Sequence, residues 1–142
     1  MNSKTLTQLR DDDFANSLRS VARSYGNTSD RVTPETIIAE ALASRPQRYY
    51  LTFRTISVTL PRLRNSGALK TNGRSQRSAT IEQWRDINDA VSRYMALHRR
   101  ATLADAITHV INFSRPSRFF ISEKKAQELF RRTLRREYRI VV

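Results

Sequence analysis

Cysteine is absent from the 142-residue chain, which removes disulfides, thiolate nucleophiles and thiolate zinc sites. Histidine is scarce. His98 and His109 are the only two, too few for a His-rich metal cluster, so neither a metal nor a cofactor is expected. No run approaches the roughly 18–20 apolar residues that cross a bilayer, and Met1-Asn2-Ser3-Lys4-Thr5 lacks the apolar core of a signal peptide. The expectation is a cytoplasmic protein with no membrane partner. A Walker loop, a dinucleotide fingerprint and a nucleophile elbow are all missing. Lysine is rare too: only Lys4, Lys70, Lys124 and Lys125 occur among 26 basic residues, leaving 22 arginines.

The 26 basic residues stand against 13 acidic ones, for a net charge of +13 and a sequence pI near 11.3. Such a balance points to a polyanionic partner. The arginine bias sharpens the point, because the planar guanidinium grips phosphate at two points and stacks on bases. With 39% hydrophobic residues, the length suits one compact domain, or two small units sharing a core.

The chain matches itself at an offset of 70 residues. Ser44-Arg45-Pro46-Gln47-Arg48-Tyr49-Tyr50-Leu51-Thr52 aligns with Ser114-Arg115-Pro116-Ser117-Arg118-Phe119-Phe120-Ile121-Ser122, and the same register pairs Phe14 with Trp84, Val21 with Val91, Ile37 with Ile107 and Arg62 with Arg132. Each half reads as helix, helix, Arg-Pro turn, helix. Phe14, Leu18, Val21 and Tyr25 mark the first helix over residues 11–25, opened by Asp11-Asp12-Asp13 and closed by Gly26-Asn27. Trp84, Ile87, Val91, Tyr94 and Met95 mark its counterpart over residues 80–100, with Thr80 as cap. The second helices start near Pro34-Glu35 and Leu103, and both stop before an Arg-Pro pair, since a residue preceding proline is pushed out of the helical region.

Residues 49–60 are rich in aromatic and β-branched side chains and, read alone, suggest a strand. Their partner, residues 122–132, is helical by propensity. Phe53, Ile56, Ser57 and Leu60 also fall at helical spacing behind Thr52, which predicts a helix in both halves. The expected fold is all-α, with about six helices as two three-helix units. Residues 1–64 form the first unit, 65–79 a flexible linker and 80–142 the second.

The candidate nucleic-acid-binding residues follow from this layout. Arg45 with Arg48, and Arg115 with Arg118, precede helix N-termini where free N–H groups favour an anion. Arg74 and Arg77 of the linker suit a phosphate backbone. In the last helix Lys124, Arg131 and Arg135 form one basic stripe and Lys125, Arg132, Arg136 and Arg139 another, while Ala126, Leu129, Phe130 and Thr133 face a core. Helix, turn and basic helix share the outline of a helix-turn-helix reader. One ring of each aromatic pair, Tyr49-Tyr50 and Phe119-Phe120, is expected to pack against the following helix.

The resulting reading is a nucleic-acid-binding protein, DNA ahead of RNA, with no catalytic residues. An assembly or adaptor protein meeting an acidic protein partner is the alternative. A small nuclease toxin, with His98 and His109 as acid and base, is the third reading. Asp11-Asp12-Asp13 does not suggest a metal site, because consecutive helical residues point about 100° apart.

The segment Arg118-Phe119-Phe120-Ile121-Ser122-Glu123 through Ala126 resembles a stretch found in small, basic, uncharacterised proteins of bacterial mobile elements and phages. The resemblance implies an accessory protein acting on nucleic acid and carries no assigned activity.

Overall fold

The computed structural model describes residues 4–26, 32–70 and 78–141, with side chains excluded at residue 78 and at 135–141. Six helices run in chain order: α1 (Leu6–Tyr25), α2 (Pro34–Ala43), α3 (Phe53–Ser66), α4 (Ser78–Leu97), α5 (Leu103–Phe113) and α6 (Glu123–Val141). The described residues contain no strand. None of these helices is long and apolar enough to cross a membrane.

Most helix boundaries follow from caps that the sequence supplies. Thr33 caps α2 with Pro34 in the first turn, and Thr102 with Asp105 forms a reciprocal capping box on α5. Thr52 caps α3 through the Thr55 amide, and Ser122 caps α6 through the Lys125 amide. The strand-like residues after Leu51 are therefore helical. Pro61 lies inside α3. It lacks the amide that would bond the carbonyl of Ser57.

Three boundaries differ from the sequence expectation. α1 begins at Leu6, because Thr5 and Gln8 exchange side-chain and backbone bonds of 3.1 and 2.8 Å in a capping box. Asp11, Asp12 and Asp13 consequently lie beyond the first turn, each with separate partners: Arg10 and Lys125 for Asp11, Lys4 for Asp12, Tyr50 for Asp13. α4 starts at Ser78, so Thr80 is within the helix rather than its cap.

The third difference concerns the expected linker. α3 continues through Ser66 and ends on Gly67, whose left-handed φ of 73° suits a residue without a side chain. The Lys70 amide then bonds the Gly67 carbonyl, and Arg85 Nε of α4 donates to the Leu69 carbonyl at 2.8 Å. Arg64 reaches Asn88 and Ser92 of α4. Residues 65–70 are thus a structured helix end and turn, fixed by polar contacts with α4. The remainder of the expected linker before Ser78, including Arg74 and Arg77, lies outside the described residues.

Two hydrophobic cores form, and neither coincides with a sequence half. One joins Phe14 and Leu18 of α1, Ile37, Ile38 and Ala41 of α2, and Ala126, Leu129, Phe130 and Leu134 of α6, with Phe119 and Ile121. The other joins Ile56 and Leu60 of α3, Trp84, Ile87, Ala90 and Val91 of α4, and Ala106, Ile107 and Val110 of α5, with Tyr49. α6 packs on α1 and α2, while α3 packs on α5. Division into units 1–64 and 80–142 therefore describes chain order, whereas the packing exchanges the third helices. Ser44 and Ser114 are extended, with ψ of 151° and 156°. That geometry leads each chain segment away from the helix just completed.

Candidate nucleic-acid interface

The two Ser-Arg-Pro turns meet where the chain crosses over. Arg45 donates from Nε to the Pro116 carbonyl at 3.2 Å and from Nη2 to the Arg115 carbonyl at 3.1 Å. Arg115 returns the pattern, Nε to the Pro46 carbonyl at 3.0 Å and Nη2 to the Arg45 carbonyl at 2.8 Å. Pro46 and Pro116 are buried beneath this clasp. The donor edge expected to hold phosphate is thus engaged with backbone oxygen in both arginines.

The second arginine of each turn behaves differently. Arg48 is exposed. Arg118 lies 4.6 Å above the Phe120 ring, donates to the Phe119 carbonyl and pairs with Glu82. The two turns therefore do not present matching pairs of open arginines.

The first ring of each aromatic pair enters a core. Tyr49 is buried with α3, α4 and α5, and its hydroxyl donates to Asp86 at 3.1 Å. The same carboxylate oxygen accepts the Ser117 amide at 3.2 Å, joining the two turns through one acceptor. Phe119 meets Phe14 edge-on at 5.3 Å and stacks with Tyr50 at 6.4 Å, while the Tyr50 hydroxyl donates to Asp13 at 2.6 Å. Burial is the largest cause raising both phenol pKa values well above 10; the neighbouring carboxylates reinforce it.

On α6, Ala126, Leu129, Phe130 and Leu134 face the core, and Thr133 is half-buried beside them. Lys124 and Arg131 are exposed on the outer stripe. Lys125 lies 3.8 Å from both Asp11 and Glu128, and Arg132 bonds Glu128 at 2.8 Å. Arg135, Arg136 and Arg139 continue the helix, with side chains outside the described set. The helix-turn-helix outline requires α6 to pair with α5, but α6 packs on α1 and α2 instead.

The structure assembles a group that the sequence pattern did not bring together. Tyr94 stacks with His98 at 4.3 Å and with His109 at 4.2 Å, and His109 meets Phe113 at 5.1 Å. Both imidazoles are nearly parallel to the Tyr94 ring, at 29° and 22°, so the phenol separates them. The result is a four-ring ladder across the packed pair α4 and α5. Its sequence signal is an aromatic i, i+4 pair at the end of one helix and another on the next.

The ladder stands between two open clefts. Arg45, Arg93 and Arg115 line one of about 490 Å³, together with Tyr49, Leu97 and all four rings. Arg100, Asp105 and Thr108 line the other, about 540 Å³, again with all four rings. Leu97 and Phe113 remain 81% and 77% exposed. Among the described residues no carboxylate forms an ion pair with Arg45, Arg93, Arg100 or Arg115. The described residues also contain no cluster of three or more metal-ligating side chains. The chain matches no protein-family model, no curated protein and no solved structure.

Proposed function

We propose that the protein binds nucleic acid, with the clefts flanking the α4–α5 ladder as its principal contact surface. The observation carrying this reading is the placement of Arg45, Arg93 and Arg115 in one cleft with the stacked rings, of which His98 and Phe113 are exposed. Guanidinium and aromatic groups together suit a phosphate backbone and its bases. The net charge of +13 extends the attraction beyond the cleft. Arg45 and Arg115, held by opposite carbonyls, serve as fixed positive charges rather than two-point clamps. Arg48, Lys124 and Arg131 supply additional exposed charge on the turn and α6.

Duplex DNA and single-stranded RNA titrated across salt test the reading. For phosphate-dominated binding log Kd rises linearly with log salt, with a slope that counts neutralised phosphates. A complex at about 50 mM salt that weakens steeply by about 200 mM is expected. Failure of both polymers to bind at the lower salt would overturn it.

Exposed Leu97 and Phe113 beside arginine also favour a second reading, an acidic protein partner anchored by those two side chains. Size measurement before and after nuclease treatment separates the two. Loss of mass on nuclease treatment supports bound nucleic acid, whereas a complex indifferent to nuclease supports a protein partner.

A further inference from the structure

We infer that the ladder takes single-stranded nucleic acid, whose bases continue the stack at Phe113 and His98. This inference rests on the nucleic-acid reading above and narrows its substrate class. The rings occur in the order His98, Tyr94, His109, Phe113. Both interior rings have a neighbour on either side. Phe113 and His98 end the ladder, and both are exposed. A base stacked on an end ring would extend an existing column without displacing a side chain.

The distribution of charge selects the occupant. Arg93, Arg45 and Arg115 lie in one flanking cleft and Arg100 in the other, so a strand crossing the ladder meets guanidinium groups on both sides. Asp105 is the acidic residue on the second cleft, and its carboxylate is occupied in the α5 cap, accepting the Thr102 amide at 3.0 Å. A second copy of this chain would place like charge against like charge across the same surface. A polyanion removes that repulsion, and exposed aromatic rings favour one with accessible base faces.

Strandedness follows from the ring geometry. A duplex presents base edges in its grooves and buries the base faces in its own stack, whereas a single strand splays faces outward. The end rings offer faces to stack on. Stacking therefore requires unpaired bases. It tolerates any sequence because every base has a π-face.

The test compares labelled oligomers of about 12 nucleotides, a length within the usual range for such sites. The panel is single-stranded DNA, single-stranded RNA, an abasic DNA strand and the corresponding duplex, measured by fluorescence anisotropy with the full chain. The base-bearing strands should bind at least about fivefold tighter than the abasic strand. Phe113→Ala should weaken their binding about five- to hundredfold while leaving the abasic strand unchanged. Phe113→Trp should retain binding and show base-dependent quenching of the new indole; the native Trp84 is buried. Arg93→Ala should weaken every strand and reduce the salt slope by about one.

DNA and RNA arms distinguish the preferred sugar, and base-dependent stacking on either supports the inference. Equal binding of abasic and base-bearing strands would overturn it, as would preference for duplex or an unaltered Phe113→Ala protein. Each of these results leaves nucleic-acid binding standing. Loss of all binding at low salt removes both readings. Matching thermal melts of the variants and the parent exclude unfolding as the cause of a Phe113 effect.

Discussion

Arg45 and Arg115 each donate two hydrogen bonds to the backbone of the other's turn, although 70 residues separate them in the chain. The partners are carbonyls, which cannot titrate away, so the clasp keeps its acceptors across pH. Its position at the crossover means that it connects both cores.

Replacing either arginine should loosen that crossover. Arg45→Ala or Arg115→Ala removes two charge-assisted bonds, one donor of each pair being exposed, and should cost about 1–2 kcal/mol in urea unfolding. The double variant should cost less than the two losses combined, because each guanidinium fixes the turn that carries the other. Arg45→Lys should recover little, since an ammonium lacks the planar fork. Full additivity would show that the two sides act independently.

Exchange of the third helices predicts that the first three helices do not form a stable monomer. A fragment of residues 1–70 retains α1 and α2 but lacks α6, leaving Phe14, Leu18 and Ile37 without their partner helix. Circular dichroism and sedimentation should report a weakly helical or self-associated fragment. Adding the fragment of residues 71–142 should restore a cooperative melt. Independent cooperative folding of residues 1–70 as a monomer would contradict the exchanged packing.

Alkaline pH should weaken the fold through Tyr49 and Tyr50. Burial, Asp86 beside Tyr49 and Asp13 beside Tyr50 raise the two phenols above their ordinary value of 10. The folded state therefore retains protons that the unfolded chain releases, so this contribution is complete below pH 10 and declines as pH rises above it. Denaturation at pH 7 and at successive alkaline pH values tests the dependence. Tyr49→Phe should flatten the alkaline decline and cost about 1 kcal/mol at neutral pH through loss of the Asp86 bond.

Gly67 ends α3 at φ 73°, and a methyl group there would meet no atom within 4 Å. Gly67→Ala should therefore destabilise through backbone strain alone, by about 1 kcal/mol. Gly67→Asn should cost less, because asparagine enters the left-handed region more readily. A steric origin would instead make the larger asparagine worse. Thermal melts of both variants distinguish these causes.

Local chemistry made much of the helical framework legible. Thr52 and Ser122 mark the starts of α3 and α6, Pro34 marks α2, and the helical spacing of Phe53, Ile56 and Leu60 agrees with α3 where composition alone suggests a strand. The Thr5/Gln8 capping box was also visible in principle, but the three aspartates drew the expected start to residue 11. A capping box supplies specific partners to orphan amides, whereas carboxylates offer only a broader interaction with the helix dipole.

The candidate site was less legible because its parts gain meaning from neighbours. Arg45 and Arg115 were recognisable as a pair, but not as donors to opposite backbones. His98 and His109 were visible as titratable residues, while their separation by Tyr94 required α4 and α5 to pack side by side. The i, i+4 aromatic pairs identify one helical face each. They do not specify which two faces meet.

The sequence by itself determined the charge, the helical periodicities, most caps and the paired Arg-Pro turns, because these depend on composition or a few neighbouring residues. Only tertiary structure decided that the third helices exchange, that Arg45 and Arg115 clasp, and that four rings form a ladder. Each outcome depends on contacts between distant segments, whose pairing short-range propensity does not specify.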